Sequence, residues 1–267
     1  MKAGNFHTHT TFSDGKNTAE EVVLAAIEKG FPSVGFSDHG YTPYDLRYCM
    51  RDFDGYVKEI NRLKEKYNGK IQIYLGIEED SRALVDRTPF DYLIGSCHYV
   101  EKDGAVYPFD SNYGLFSQSM ALFNGDGLAL AEHYYAHFTE YILRRKPDVV
   151  GHFDLITKYE EIQPSQYFGD SRYWTIAEKY LLEAMKSGAI FEVNTGSIAR
   201  GFRVTPYPHE RLLRLILKNG GKVTVSSDSH KTETLDGDFV LAVALLKEVG
   251  FTQSYALYDG KWQPFAL

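Results

Sequence analysis

Two histidines spaced i, i+2, His7 and His9, stand at the start of the chain in Asn5-Phe6-His7-Thr8-His9-Thr10. Alternate side chains of a strand share one face, so the two imidazoles are expected to project together. Neutral imidazole is a good ligand for a divalent metal, and two side by side are costly to bury for packing alone. Asp228-Ser229-His230 repeats the spacing near the other end, and Asp14, His39, Glu78, His98 and His152 stand between. One zinc-like ion takes three or four protein ligands. These nine candidates therefore suit two or three ions, and their imidazole and carboxylate chemistry favours Zn, Mn or Fe over Mg or Ca. Glu78 is singular, because one carboxylate has two oxygens and can bridge two ions. Two ions ~3.5–4 Å apart can clamp both oxygens of a displacement and bring a bound water's pKa to ~7.

The elements that must position these residues follow one pattern of short β-rich run, polar cluster and helix. The runs are 3–9, 33–37, 71–77, 92–97, 149–151, 189–193 and 222–225. Thr18-Ala19-Glu20-Glu21 is a capping box opening the first helix, which stops near Gly30. Further helices are expected over 54–67, 128–145, 173–186, 210–218 and 238–249, several ended by Gly. Residues 99–127 are rich in Gly, Tyr and Phe with little periodicity, and read as a long insertion over one face. Asp259-Gly260 between two short apolar runs predicts a C-terminal hairpin over 253–267. Seven β/α units point to a barrel or a doubly wound sheet. The runs end in His, Asp, Glu or Asn, which favours a barrel whose site lies at the C-terminal ends of its strands. Six of the nine histidines fall at such ends.

No linker or repeat divides residues 1–267, and one domain is expected. A 43% hydrophobic and 24% charged composition supports a sizeable core. The net charge of -7 argues against nucleic acid or an anionic membrane as partner. It also demands a locally positive site for any anionic substrate, which divalent ions would supply. Two cysteines, Cys49 and Cys97, make neither a disulfide framework nor a Cys zinc site. With no signal-like or membrane-length apolar run, a cytoplasmic protein is expected. Composition leaves the oligomeric state open.

The ordered set His-x-His-Thr with Ser-Asp-Gly, Ser-Asp-His-Gly, Gly-Ile-Glu, His98, Gly-His and Ser-Asp-Ser-His resembles the polymerase and histidinol phosphatase (PHP) superfamily over residues 5–230. The resemblance implies a distorted (β/α)7 barrel, a trinuclear metal site and phosphoesterase chemistry. It implies a first ion at His7, His9, Glu78 and Asp228, a second at Glu78, His98 and His152, and a third at Asp14, His39 and His230. Glu79 rivals Glu78, but the Gly-Ile-Glu match favours Glu78. Gly-His-Phe-Asp-Leu-Ile-Thr-Lys-Tyr (151–159) and Glu-Val-Asn-Thr-Gly (192–196) followed by Arg200 resemble the histidinol-phosphate phosphatases of histidine biosynthesis. Hydrolysis of L-histidinol phosphate by a metal-bridging hydroxide is then expected, with Asp228, Glu78 and His230 as catalytic residues.

Lys158 and Arg200 are the phosphate partners that this reading implies. Asp154 and Asn194 would fix geometry or bind the substrate amine. The alternatives are another phosphoesterase substrate (a nucleotide, a nucleic-acid 3′ end or a phosphotyrosine protein) or a non-catalytic metal-binding module. His133 and His137 have helical metal spacing but no third ligand, and read as structural. His209 reads as a helix cap or a solvated residue, and Cys97 as core.

Overall fold

The computed structural model describes residues 4–163 and 167–267. Six parallel strands form one sheet in the order β1-β2-β3-β6-β7-β8: β1 Ser33–Phe36, β2 Gln72–Asp80, β3 Tyr92–Ser96, β6 Val149–Val150, β7 Ile190–Asn194 and β8 Lys222–Ser226. Helices α1 Ala19–Glu28, α2 Phe53–Lys66, α4 Gly127–Arg145, α5 Ser171–Ala184, α7 Glu210–Lys218 and α8 Phe239–Val249 connect them. Each helix buries an apolar stripe, such as Val22, Val23 and Ala26 of α1 or Leu212, Leu213 and Ile216 of α7. The predicted capping box is formed: Thr18 accepts from the Glu21 amide while Glu21 accepts from the Thr18 amide.

The run expected over 3–9 is not a regular strand. Ala3 lies outside the described residues, and residues 5–8 make one parallel bridge to each edge of the sheet, Asn5 with Val34 and Thr8 with Ser229. Side chains replace much of the missing ladder. The Asn5 amide donates to Ser227 Oγ (2.7 Å) and to the Leu235 carbonyl (2.9 Å), and Thr8 Oγ1 donates to the Gly35 carbonyl (2.8 Å). This segment joins the first strand to the last and closes the sheet into the expected barrel.

The 99–127 insertion is more ordered than its composition suggests. It holds the hairpin β4 Tyr99–Lys102 and β5 Ala105–Pro108, then α3 Tyr113–Ala121, capped by Asn112. Asp103 and Gly104, both with positive φ, form the two-residue turn. One short helix, α6 Gly196–Ala199, follows β7. The predicted C-terminal hairpin is β9 Gln253–Tyr258 and β10 Lys261–Ala266. Its Ala256, Leu257, Trp262 and Phe265 pack with Phe6, Tyr74, Tyr92, Ile94 and Val149 into a second apolar cluster, apart from the main core. Tyr92 in that cluster explains a glycine: a Cβ on Gly76 would stand 2.3 Å from its ring.

Candidate metal centre

Strand alternation decides which carboxylate of Glu78-Glu79-Asp80 enters the barrel mouth. Glu79 points the other way: it accepts from the Tyr141 hydroxyl (2.7 Å), from Arg145 Nε and Nη2 (2.8 Å each) and from the Val85 amide (2.7 Å). Glu78 faces in and is ringed by imidazoles. Its Oε2 lies 2.7 Å from His39 Nδ1, 3.3 Å from His7 Nε2 and 3.7 Å from His9 Nε2. Its Oε1 lies 3.1 Å from His152 Nε2 and 3.5 Å from His98 Nε2. Asp228 Oδ1 meets His9 Nε2 at 3.2 Å and His7 Nε2 at 3.7 Å. Asp14 Oδ1 meets His230 Nε2 at 3.3 Å and His39 Nε2 at 3.8 Å. All nine predicted ligands therefore converge, although they span residues 7–230.

Their grouping is tighter than three separate sets. Ligand atoms within 4.8 Å of one another form the sets His9-Asp14-His39-His230, His7-His9-Glu78, His7-His152-Asp228 and His39-Glu78-His98. His39 thus touches the groups expected for the second and third ions, through Nδ1 and Nε2 respectively. The His9 ring lies 4.2 Å from both the His39 and His230 rings.

A divalent ion fits these donors. His7 Nε2, both His9 nitrogens, Asp14 Oδ1 and Glu78 Oε2 are buried and, close as they lie to one another, make no hydrogen bond of good geometry, an arrangement that is costly unless a cation is shared between them. Burial works against charge on Glu78, but His7, His39 and His98 hold its carboxyl well below the usual range. Burial opposes charge on Asp228 too, and Arg200 and His7 lower it. Burial, reinforced by His230 and His39, pushes His9 down to about 3. That imidazole stays neutral, the form a metal needs.

Partners outside the ligand set fix its orientation, and these the sequence reading missed. Glu192, fully buried, lies 2.5 Å from His7 Nδ1, accepts from the His152 amide (2.8 Å) and accepts from the Ser226 hydroxyl. With Nδ1 engaged, His7 turns Nε2 to the centre. Asp80 does the same for His98, 3.2 Å from its Nδ1. Asp38 gathers the loop that carries Asp14, accepting from the Thr10 amide (2.8 Å) and the Ser13 hydroxyl (2.6 Å). The signal was present: Glu78 and Asp80, like Glu192 and Asn194, are spaced i, i+2. Asp228 itself adopts positive φ (48°), and its carbonyl accepts from Arg200 Nη1 (3.1 Å) and lies 3.0 Å from His230 Nδ1.

The centre opens into a cavity of ≈ 440 Å³. Lys158 and Arg200 line it as expected. Lys158 Nζ donates to the Asp110 carbonyl (2.7 Å), and Arg200 Nη2 donates to Asp228 Oδ2 (2.9 Å). Burial lowers the Lys158 amine, with Asp110 opposing. Of the two roles expected for Asn194 and Asp154, fixing geometry is the one their places suit, because neither lines the cavity. Asn194 donates to Glu192 (3.0 Å) and accepts from the Gly196 amide (2.8 Å), behind the ligands. Asp154 is fully buried and accepts from the His209 amide (2.9 Å). Burial raises its carboxyl, with Arg203 opposing.

The weaker candidates behave as structural residues. His137 lies 3.0 Å from Ser81 Oγ, and His209 Nδ1 caps α7 by accepting from the Arg211 amide (3.1 Å). Cys97 is core, its thiol pushed up to about 12 by burial.

The PHP domain family model matches residues 5–196. A protein of Schizosaccharomyces pombe named probable histidinol-phosphatase is 30% identical, covering 97% of this chain and 88% of its own. The histidinol-phosphatase of Bacillus subtilis is 25% identical, covering 86% of this chain and 94% of its own. The histidinol phosphate phosphatase of Lactococcus lactis, solved with zinc, L-histidinol and phosphate, has the same fold: TM-score 0.73 and 20% identity, over 98% of this chain and 99% of that one.

Proposed function

This chain belongs to the PHP domain family, and from that premise we propose that it is a metal-dependent phosphomonoesterase hydrolysing L-histidinol phosphate to L-histidinol and phosphate. The observation that carries the chemistry is the convergence of nine imidazole and carboxylate donors in one centre, with Glu78 met by five of the imidazoles, at the floor of a cavity walled by Lys158 and Arg200. The substrate is read from relatives named histidinol-phosphatase that match almost the whole chain. Two or three divalent ions of the Zn, Mn or Fe type would be held by His7, His9, Asp14, His39, Glu78, His98, His152, Asp228 and His230. They would supply hydroxide near neutral pH and offset charge on the phosphoryl oxygens.

The protein's own groups do the rest. Lys158 and Arg200 orient the phosphate on the cavity wall, Arg200 while anchored by Asp228. Glu78 and Asp228 stay ionised and accept protons only at acid pH, so they keep the floor charged. His230 stands at the mouth beside Asp14, its Nδ1 3.0 Å from the Asp228 carbonyl and its Nε2 turned to the centre, next to the reacting oxygens. The ligands span residues 7–230, so the whole of residues 1–267 is one catalytic unit. The substrate is a small molecule, and the net charge of -7 disfavours nucleic acid. Among the described residues no helix is long and apolar enough to cross a membrane, and the two unpaired buried cysteines suit the cytoplasm.

Phosphate release from a panel of monoesters tests this reading. Histidinol phosphate should be turned over with the highest kcat/KM. Equal rates on p-nitrophenyl phosphate would remove the substrate assignment and keep the chemistry. A nucleotide preference would point to another branch of the family.

A further inference from the structure

Among the described residues, two carboxylates line the cavity outside the ligand set, Asp45 and Asp110. They differ in what already satisfies them. Asp45 is gripped bidentately by the Arg47 guanidinium, at 2.8 and 2.5 Å. Asp110 is held by its backbone instead: Lys158 Nζ and the Tyr159 hydroxyl both donate to its carbonyl, at 2.7 and 2.8 Å. The nearest cation to its carboxylate is Lys158 Nζ, at 3.7 Å, beyond hydrogen-bond range. The carboxylate is thus held by one loose ion pair with Lys158 and, 22% exposed, lies on the cavity wall. Its charge is felt by His98 of the centre, by Arg200, and by Tyr48 and Tyr99 of the wall. Asp110 thus stands at the meeting point of phosphate site and wall.

The cavity wall is accordingly of mixed sign: cationic Lys158 and Arg200, with the Asp110 carboxylate beside Lys158. A plain dianionic ester would be repelled by Asp110. An ester that also carries a protonated amine close to its phosphate matches both signs at once. The wall beside it is aromatic, and its Tyr48 and Tyr99 hydroxyls bond each other at 2.5 Å.

We propose that Asp110, in the insertion between β5 and α3, is the specificity-determining residue that accepts the substrate's ammonium group and selects amino-substituted alkyl phosphates. This inference rests on the phosphomonoesterase reading above. It moves the amine's partner from Asp154 and Asn194, which are sealed behind the site, to a residue that faces the substrate. It also gives the insertion a function beyond covering the pocket.

Asp110→Asn, nearly isosteric and neutral, tests it on the metal-loaded enzyme. The substrates are L-histidinol phosphate, phosphoethanolamine, glycerol phosphate and p-nitrophenyl phosphate. Loss of one charge-assisted contact should cut the preference for an amino over a neutral ester, as a kcat/KM ratio, by roughly 10- to 100-fold, mostly through KM. Asp110→Glu should restore part of that ratio. Parallel losses on all four esters, with the ratio kept, would overturn the proposal and leave Asp110 as a prop for Lys158. So would a wild-type enzyme that does not distinguish phosphoethanolamine from glycerol phosphate. If the wild type ignores histidinol phosphate yet shows an Asp110-dependent amino preference, the substrate assignment falls and this inference stands.

Discussion

Glu78 is surrounded on both oxygens by imidazoles, and no other carboxylate of the centre is so placed. Glu78→Ala should leave fewer than two ions per chain by elemental analysis. Activity should fall by more than the ~10–100-fold that loss of an outer partner costs. Glu192→Gln is the outer case: it keeps the shape but weakens the grip on His7, so metal affinity should drop roughly 10–100-fold in a chelator competition. The charges also set a pH dependence for the ion-free protein. The Glu192, Glu78 and Asp228 carboxylates raise His7 against the opposing effect of burial, and Glu78 likewise raises His39 and His98. Groups raised in the folded state contribute stability below the ordinary imidazole pKa of ~6.5 and lose it as pH climbs through the raised values. Glu78 and Asp228, which are lowered, contribute above the carboxylate range and lose it on acidification. The chelated protein should therefore melt at falling temperature as the medium is made alkaline, and zinc or manganese should cancel that fall. A metal-free melting temperature that rises as pH climbs above the ordinary imidazole range would contradict the charge arrangement described.

At the scale of elements, β2 is the strand that matters most, because it separates Glu78 from Glu79 by one residue and one face. Glu79→Gln should cost roughly 2–3 kcal/mol in denaturant unfolding, since Arg145 is only partly exposed, and should leave metal content unchanged. Gly76→Ala should push β2 off Tyr92 and cost about 1–3 kcal/mol, with metal binding weakened in step. The helices and strands were legible because their apolar periods and caps are local signals; 210–218 and the Thr18 capping box are examples. Residues 5–9 were not legible as an irregular segment, because their bonds run through Asn5 and Thr8 side chains to partners over 200 residues away or on another strand. The 99–127 hairpin was missed although Asp103-Gly104 marks a two-residue turn. The convergence of the nine candidate ligands was legible because polar residues recur at strand ends. Which of the two roles expected for Asp154 and Asn194 applies was not legible, since sequence does not say which side of a loop looks into the cavity.

Taken whole, the molecule is a barrel closed at its mouth by ligands and plugged at the opposite end by the β9–β10 hairpin. Trp262 is part of that plug, 5.2 Å from the Phe6 ring, next in sequence to His7. Trp262→Ala should cost about 2 kcal/mol, less than a fully buried tryptophan because the residue is half-buried. A melting curve with and without metal should show the same loss in both. The segment 5–9, which bridges the two edges of the sheet, has a consequence in time as well as space. Its partner on the last strand's side is Ser229, so a contact that shuts the barrel joins residues more than 200 apart in sequence, and such contacts form slowly. During synthesis the N-terminal histidines emerge first yet must wait for Asp228 and His230 to leave the ribosome. The full donor set thus assembles only after residue 230 has been made, and a nascent chain halted before residue 228 carries an open sheet edge with seven of the nine donors.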